Sequence, residues 1–260
     1  MTIIQSVIMG IVEGLTEFLP ISSTAHLIFT SALLKIPSSE FLKSFQISIQ
    51  LGAILAVAII YFERVIKNFG LVWKIAAAFI PTSIIGLALY KLVKEVLLES
   101  YLIIAISLII GGIIIILFEK YYGQKIKEED KDNDLEAISY KQAFKLGIIQ
   151  ALAIVPGVSR AGATIIGGLA LGIKRKAIVE FSFLLAIPTM LAATVLDIYK
   201  NPTFFEGGQT TVWLVGFVTS FITAIIGVKF LIKYVQKNDF VIFGWYRIAL
   251  GLIVLAILSF

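Results

Sequence analysis

Two stretches of this 260-residue chain gather reactive side chains within otherwise apolar sequence. In GIVEGLTEFLPISSTAHLIF, Glu13 and Glu17 lie four residues apart, so a helix would stack both carboxylates on one face. A carboxylate at membrane depth costs about 2.5 to 3.5 kcal/mol on insertion scales, so two together call for a partner, a proton or a metal ion. After Pro20 come Ser22, Ser23, Thr24 and His26. One serine there is an ordinary helix N-cap, but two hydroxyls and a histidine beside two acids suit nucleophilic and general acid or base chemistry. A capping serine, a structural acid pair and a satisfied core histidine are the alternatives.

The second stretch, PGVSRAGATIIGG, sets Ser159 and Arg160 at the start of a new helical segment, with Thr164 one turn on. A guanidinium stays charged and grips phosphate oxygens in two-pronged fashion, and a helix N-terminus adds free N–H groups. A salt bridge from Arg160 to Glu13 or Glu17 is the other reading. Gly157, Gly162, Gly167, Gly168 and Gly172 suit close helix packing. Weaker candidates are Glu180 as an interfacial acid, Asp197 near an interface, Arg247 on a carboxylate or a helix end, and Gln50 and Gln150 as supporting amides.

The elements that position these residues are membrane helices. The chain is 59% hydrophobic and 15% charged, with a mean hydropathy of +0.98, which excludes a soluble fold. With no cysteine and one histidine, thiol chemistry and paired-histidine metal centres are excluded. Apolar runs predict six transmembrane helices over 44–62, 71–90, 101–118, 178–198, 212–232 and 241–260. Segments 1–35 and 143–172 break at Pro20 and Pro156-Gly157 into halves too short to cross, which predicts two re-entrant helical hairpins. The N-terminus has neither the basic start nor the cleavage site of a removable signal peptide.

Each half runs hairpin, span, span, span, and Gly10 pairs with Gly147, Ser22 with Ser159, Trp73 with Trp213 and Gly111 with Gly251. Three crossings per half are an odd number, so the copies would be inverted-topology repeats, 1–118 and 142–260, joined by a charged linker, 119–141. The face carrying Lys35, Lys43, Lys91, Lys94 and Lys200 opposes one with fifteen Lys and Arg, among them Arg64, Lys67, Lys125, Lys127 and Lys131. The richer face is expected in the cytoplasm, with both termini outside. The net charge of +5 sits mostly in these loops, so it concerns orientation and not nucleic acid.

Two half-helix N-termini, Arg160, two acids, hydroxyls and a histidine meeting within lipid suit a phosphate or diphosphate on a lipid tail. EGLTEFLPISSTAH (13 to 26) and PGVSRAGAT (156 to 164) resemble the signatures of the undecaprenyl-diphosphatase, or bacitracin-resistance, family, as do IQLGAILAV (49 to 57) and EFSFLLAIP (180 to 188). The resemblance spans essentially the whole chain. Ala161 stands where the family usually has serine, so a role for that hydroxyl is absent.

The resemblance implies a plasma-membrane hydrolase of undecaprenyl diphosphate, a polyprenyl diphosphate, which yields the monophosphate carrier for peptidoglycan synthesis and confers bacitracin resistance. It implies a divalent cation, Mg²⁺ or Ca²⁺, and a site of Glu13, Glu17, Ser23, His26, Ser159, Arg160 and Thr164, with Ser22 beside them on the substrate. In the mechanism we expect, Arg160 holds the diphosphate, Ser23 attacks with Glu17 as base, and Glu13 holds the metal or a proton; His26 or water as nucleophile stays open. So do the oligomeric state, a homodimer included, and a second functional class, a lipid-phosphate transporter or flippase. A phosphatidate-phosphatase mechanism of the two-histidine kind does not fit one histidine.

Overall fold

The computed structural model describes residues 1–92, 97, 100–129, 135–201 and 208–258, side chains excepted at 124–129, and within them the chain is all-helical. Among the described residues twelve α-helices follow in order: α1 (Ile3–Thr16), α2 (Ser23–Leu33), α3 (Glu40–Ser48), α4 (Gln50–Ile60), α5 (Phe62–Lys67), α6 (Phe69–Leu92), α7 (Tyr101–Glu129), α8 (Tyr140–Gln150), α9 (Arg160–Ala170), α10 (Arg175–Lys200), α11 (Thr210–Val235) and α12 (Val241–Leu258). Six stretches are long and apolar enough to cross a membrane: Glu40–Ile60 (α3 with α4), α6, Tyr101–Gly123 of α7, α10, α11 and α12. They match the six expected spans. Their outer faces carry large apolar side chains, such as Ile84, Leu87 and Ile226, well over a third exposed, a surface that lipid solvates and water would not. The chain is a multi-pass membrane protein.

Helix α10 forms the centre. Phe181, Phe183, Leu184 and Leu185 are fully buried, and the helix packs on α3, α4, α6 and α9. Around it, α1 packs on α11 and α2, α8 on α6 and α9, and α7 on α12. Glycines permit the close approaches. A Cβ on Gly10 would lie 2.6 Å from the Gly216 carbonyl oxygen of α11, and one on Gly147 would lie 2.6 Å from Pro81 Cγ of α6.

The helix ends repeat at an interval of 137 residues. Thr2 and Gln5 make a capping box at the start of α1, as Ser139 and Gln142 do at α8. Gln5 Nε2 donates to the Leu34 carbonyl at 3.2 Å, and Gln142 Nε2 to that of Leu171 at 3.1 Å. Each second helix ends in a left-handed residue, Lys35 (φ 51) or Gly172 (φ 76). In both, the next N–H returns to an earlier carbonyl at 2.9 Å, Ile36 to Ser31 and Ile173 to Gly168.

Three expectations need correction. The third span does not stop at 118: α7 runs on to Glu129, and Glu119 is not in a solvated linker. It is buried, with Arg175 Nη1 and Nη2 donating to its carboxylate at 2.5 and 2.9 Å and the Phe240 N–H at 3.1 Å. A buried arginine needs a buried acid, which draws this end of the charged segment inside. Glu180 is likewise not merely interfacial: it is buried, and Arg64 Nη1 donates to it at 2.7 Å. Gly172 is not a packing glycine, since a Cβ there would meet nothing within 4 Å; its positive φ ends α9. Lys94, Lys131 and residues 130–134 of the linker, together with residues 259–260, lie outside the described residues, as do the side chains of Lys125 and Lys127.

Candidate active site

Each helix pair reverses through a break whose last residue is a serine with positive φ, Ser22 at 70° and Ser159 at 72°. Such a backbone costs about 1 to 3 kcal/mol for a residue bearing a Cβ, and it persists where the surroundings hold it. Each serine also caps the next helix: Ser22 Oγ accepts from the Ala25 N–H at 3.4 Å, and Ser159 Oγ from the Gly162 N–H at 3.0 Å. The breaks thus end as two helix N-termini, with Ser23 first on α2 and Arg160 first on α9.

Between them lies a cavity of about 180 Å³. Glu17, Ser22, Ser23 and Thr24 line it from the first break, and Pro156, Gly157, Ser159 and Arg160 from the second. Gln50, Thr82, Gln150 and Thr189 add amides and hydroxyls, while Ala153, Ile154, Val155, Met190 and Ala193 make an apolar side.

Glu17 is the hub. Arg160 Nη2 donates to its Oε1 at 2.7 Å, and the Ser23 hydroxyl donates to its Oε2. Arg160 Nη1 also donates to the Ser182 carbonyl at 2.8 Å and to Ser182 Oγ at 3.2 Å, while its guanidinium lies 5.8 Å from the Phe18 ring centroid. The salt bridge offered as the alternative role of Arg160 is therefore present, on Glu17, and it sits in the cavity wall where an anion would compete for it.

The other expected site residues stand back from the cavity lining. Glu13 is fully buried, and neither carboxylate oxygen has a hydrogen-bond partner among the described residues. Thr164 is buried, donating to the Arg160 carbonyl at 2.8 Å, with Gln150 Oε1 at 3.4 Å. His26 Nδ1 lies 2.7 Å from the Ser22 carbonyl and Nε2 2.7 Å from the Tyr246 hydroxyl. A carbonyl only accepts, so Nδ1 carries the proton and Nε2 accepts from the tyrosine. The two rings stack with centroids 5.6 Å apart.

Residues 6–253 match the family of the bacitracin resistance protein BacA. The chain belongs to that family. A protein from Aquifex aeolicus named undecaprenyl-diphosphatase is 48% identical over 260 residues, covering all of both chains. One of the same name from Persephonella marina is 49% identical over 255 residues, 98% of each chain. Another, from Sulfurihydrogenibium sp., is 48% identical over 253 residues, 97% of this chain and 98% of its own.

In this family member, sequence reasoning passed over the two threonines flanking Gln150. Gln150 Nε2 donates to Thr82 and to Thr189, each at 3.2 Å. Their hydroxyls donate in turn to carbonyls, Thr82 to Gly147 at 2.7 Å and Thr189 to Leu185 at 2.7 Å. The tripeptide Ile-Pro-Thr ending at both positions was the available signal, because a proline inside a span breaks the hydrogen-bond ladder and marks a polar neighbourhood.

Arg247 was mispaired. It meets neither a carboxylate nor a helix end. Fully buried, it donates to five carbonyls: Leu108 at 3.3, Ser107 at 3.2, Pro20 at 3.0, Val158 at 3.0 and Gly157 at 2.8 Å. Non-helical backbone buried in the protein leaves carbonyls that need donors, and this guanidinium supplies them at both breaks.

Proposed function

We propose that this membrane enzyme hydrolyses undecaprenyl diphosphate to undecaprenyl phosphate and inorganic phosphate, regenerating the lipid carrier of cell-wall synthesis. Family membership and relatives of that name along the whole chain support the reaction. The observation that carries the chemistry is the Glu17 carboxylate, shared between the Ser23 hydroxyl and the Arg160 guanidinium in the cavity wall.

Arriving phosphate oxygens take over Arg160 Nη2 and the N–H groups at the starts of α2 and α9, where the helix dipoles favour an anion. Released from Arg160, Glu17 is free to take the proton of Ser23, whose hydroxyl already donates to it. Ser23 Oγ then attacks the terminal phosphorus in line, the bond to the bridging oxygen breaks, and the lipid phosphate leaves with the proton that Glu17 took from the serine. Water hydrolyses the phosphoserine with Glu17, now deprotonated, as base; Glu17 passes that proton to the departing serine oxygen, which frees phosphate and restores the hydroxyl. The apolar cavity side formed by Ile154, Val155, Met190 and Ala193 faces the tail. His26, tied to Tyr246, holds the Ser22 carbonyl and so the turn that presents Ser23.

The buried and unpartnered Glu13 suits a hard cation, which prefers carboxylate oxygens. Glu13 and Glu17 would hold Mg²⁺ or Ca²⁺, which would offset phosphate charge.

The 137-residue repetition of caps, bonds and serine turns supports two repeats, and three spans in each imply that they are inverted. In this reading α1–α2 and α8–α9 are re-entrant hairpins, the termini lie outside, and the substrate enters laterally from lipid. Detergent-solubilised protein should release phosphate from a short-chain prenyl diphosphate, and Arg160→Ala should abolish it. No release by the parent chain refutes the hydrolase.

A further inference from the structure

The guanidinium has five N–H donors in one rigid plane, and Arg247 places every one on a carbonyl. Pro20, three residues before Ser23, lies on one side, while Gly157 and Val158, just before Ser159 and Arg160, lie on the other. Ser107 and Leu108 anchor the group to α7. We propose that Arg247 is a positioning residue for the reaction: one planar group holds both break tips and so sets the Ser23 hydroxyl against the Arg160 guanidinium.

Three observations converge on this role. The tip carbonyls come from segments 137 or more residues apart in sequence, and the backbone bonds within each tip are local turns, Ile21 to Leu19 at 2.8 Å and Val158 to Val155 at 3.1 Å, that cannot set one tip against the other. Gly157 rests directly on α7, where a Cβ would come 2.6 Å from the Ile104 carbonyl oxygen, so α7 is the floor against which Arg247 clamps. Arg247 does not line the cavity, so it acts through Ser23 and Arg160 rather than on the substrate. Misplacing reacting groups by about 1 Å can cost on the order of 100-fold in rate. A loss of this kind falls on turnover more than on binding.

The proposal rests on the hydrolase reading, and the test separates the two. Arg247→Lys keeps the charge but not the planar fork. Gly111→Ala keeps the arginine but sets a methyl 2.8 Å from its Cζ and 3.3 Å from its Nε, displacing the fork. Gly86→Ala, with nothing within 4 Å of the added carbon, is the control. On folded, monodisperse protein, kcat for a short-chain prenyl diphosphate should fall about 100-fold in Arg247→Lys and at least about 10-fold in Gly111→Ala. KM should stay within about threefold, and the double variant should be no slower than Arg247→Lys alone. Should Arg247→Lys fail to fold, Gly111→Ala decides. If Gly111→Ala turns over within about threefold of the parent, or if only KM rises, the positioning role is overturned. An inactive parent overturns the hydrolase reading and this proposal together.

Discussion

Breaking the contact between Glu17 and Arg160 from either side should separate what the pair does for the fold from what it does for turnover. The side chains are 3% and 10% exposed, so a charge left alone there is poorly solvated, at a cost of about 3 to 5 kcal/mol. Glu17→Gln leaves Arg160 with the Ser182 carbonyl and a partly exposed edge, which places it near 3 kcal/mol. Arg160→Met leaves Glu17 beside the buried Glu13 without the guanidinium that faced it, which places it near 5 kcal/mol. Glu17→Gln with Arg160→Met strands neither charge, so the double variant should lose about 1 to 3 kcal/mol less than the summed singles. Activity should show no such recovery. Loss of the base costs about 10² to 10⁴ in rate and loss of the guanidinium about 10² to 10³, and the double variant should be as inactive as the worse single. Apparent thermal midpoints in detergent and phosphate release from one preparation give both quantities. Additive stability losses, or Glu17→Gln turning over within about tenfold of the parent, would refute the shared-carboxylate mechanism.

Ser23→Ala should lower phosphate release by at least about 100-fold, and near-normal rates in that variant would exclude serine as nucleophile and return attention to His26 or water. His26→Ala, which loosens the Ser22 carbonyl without removing the hydroxyl of Ser23, should cost less; a greater loss than in Ser23→Ala would reverse the assignment. Gly147→Ala drives a methyl into α6 and should destabilise by about 1 to 3 kcal/mol, seen as a lowered apparent midpoint that Gly86→Ala does not share. Cysteines placed singly at Ser38 and Lys67 of this cysteine-free chain should react with an impermeant maleimide from outside and inside the cell respectively, and the opposite pattern would invert the topology.

The six spans were legible in the sequence because the bilayer imposes a length on any apolar helix, and so were both breaks, because each holds a proline, which has no N–H to give the ladder, between apolar halves too short to cross. Glu17, Ser23, Ser159 and Arg160 could be picked out one by one, since polar side chains at membrane depth need a reason. Their partners could not. Whether Arg160 meets Glu13 or Glu17, whether Glu119 lies in solvent or against Arg175, and which carbonyls Arg247 binds depend on distances between segments far apart in sequence. Each buried charge had several candidate partners of the right chemistry, and only the packing of α7, α10 and α12 around the breaks brought one of them within hydrogen-bond reach. Composition and periodicity state that a buried polar group must be satisfied; the three-dimensional arrangement chooses by what.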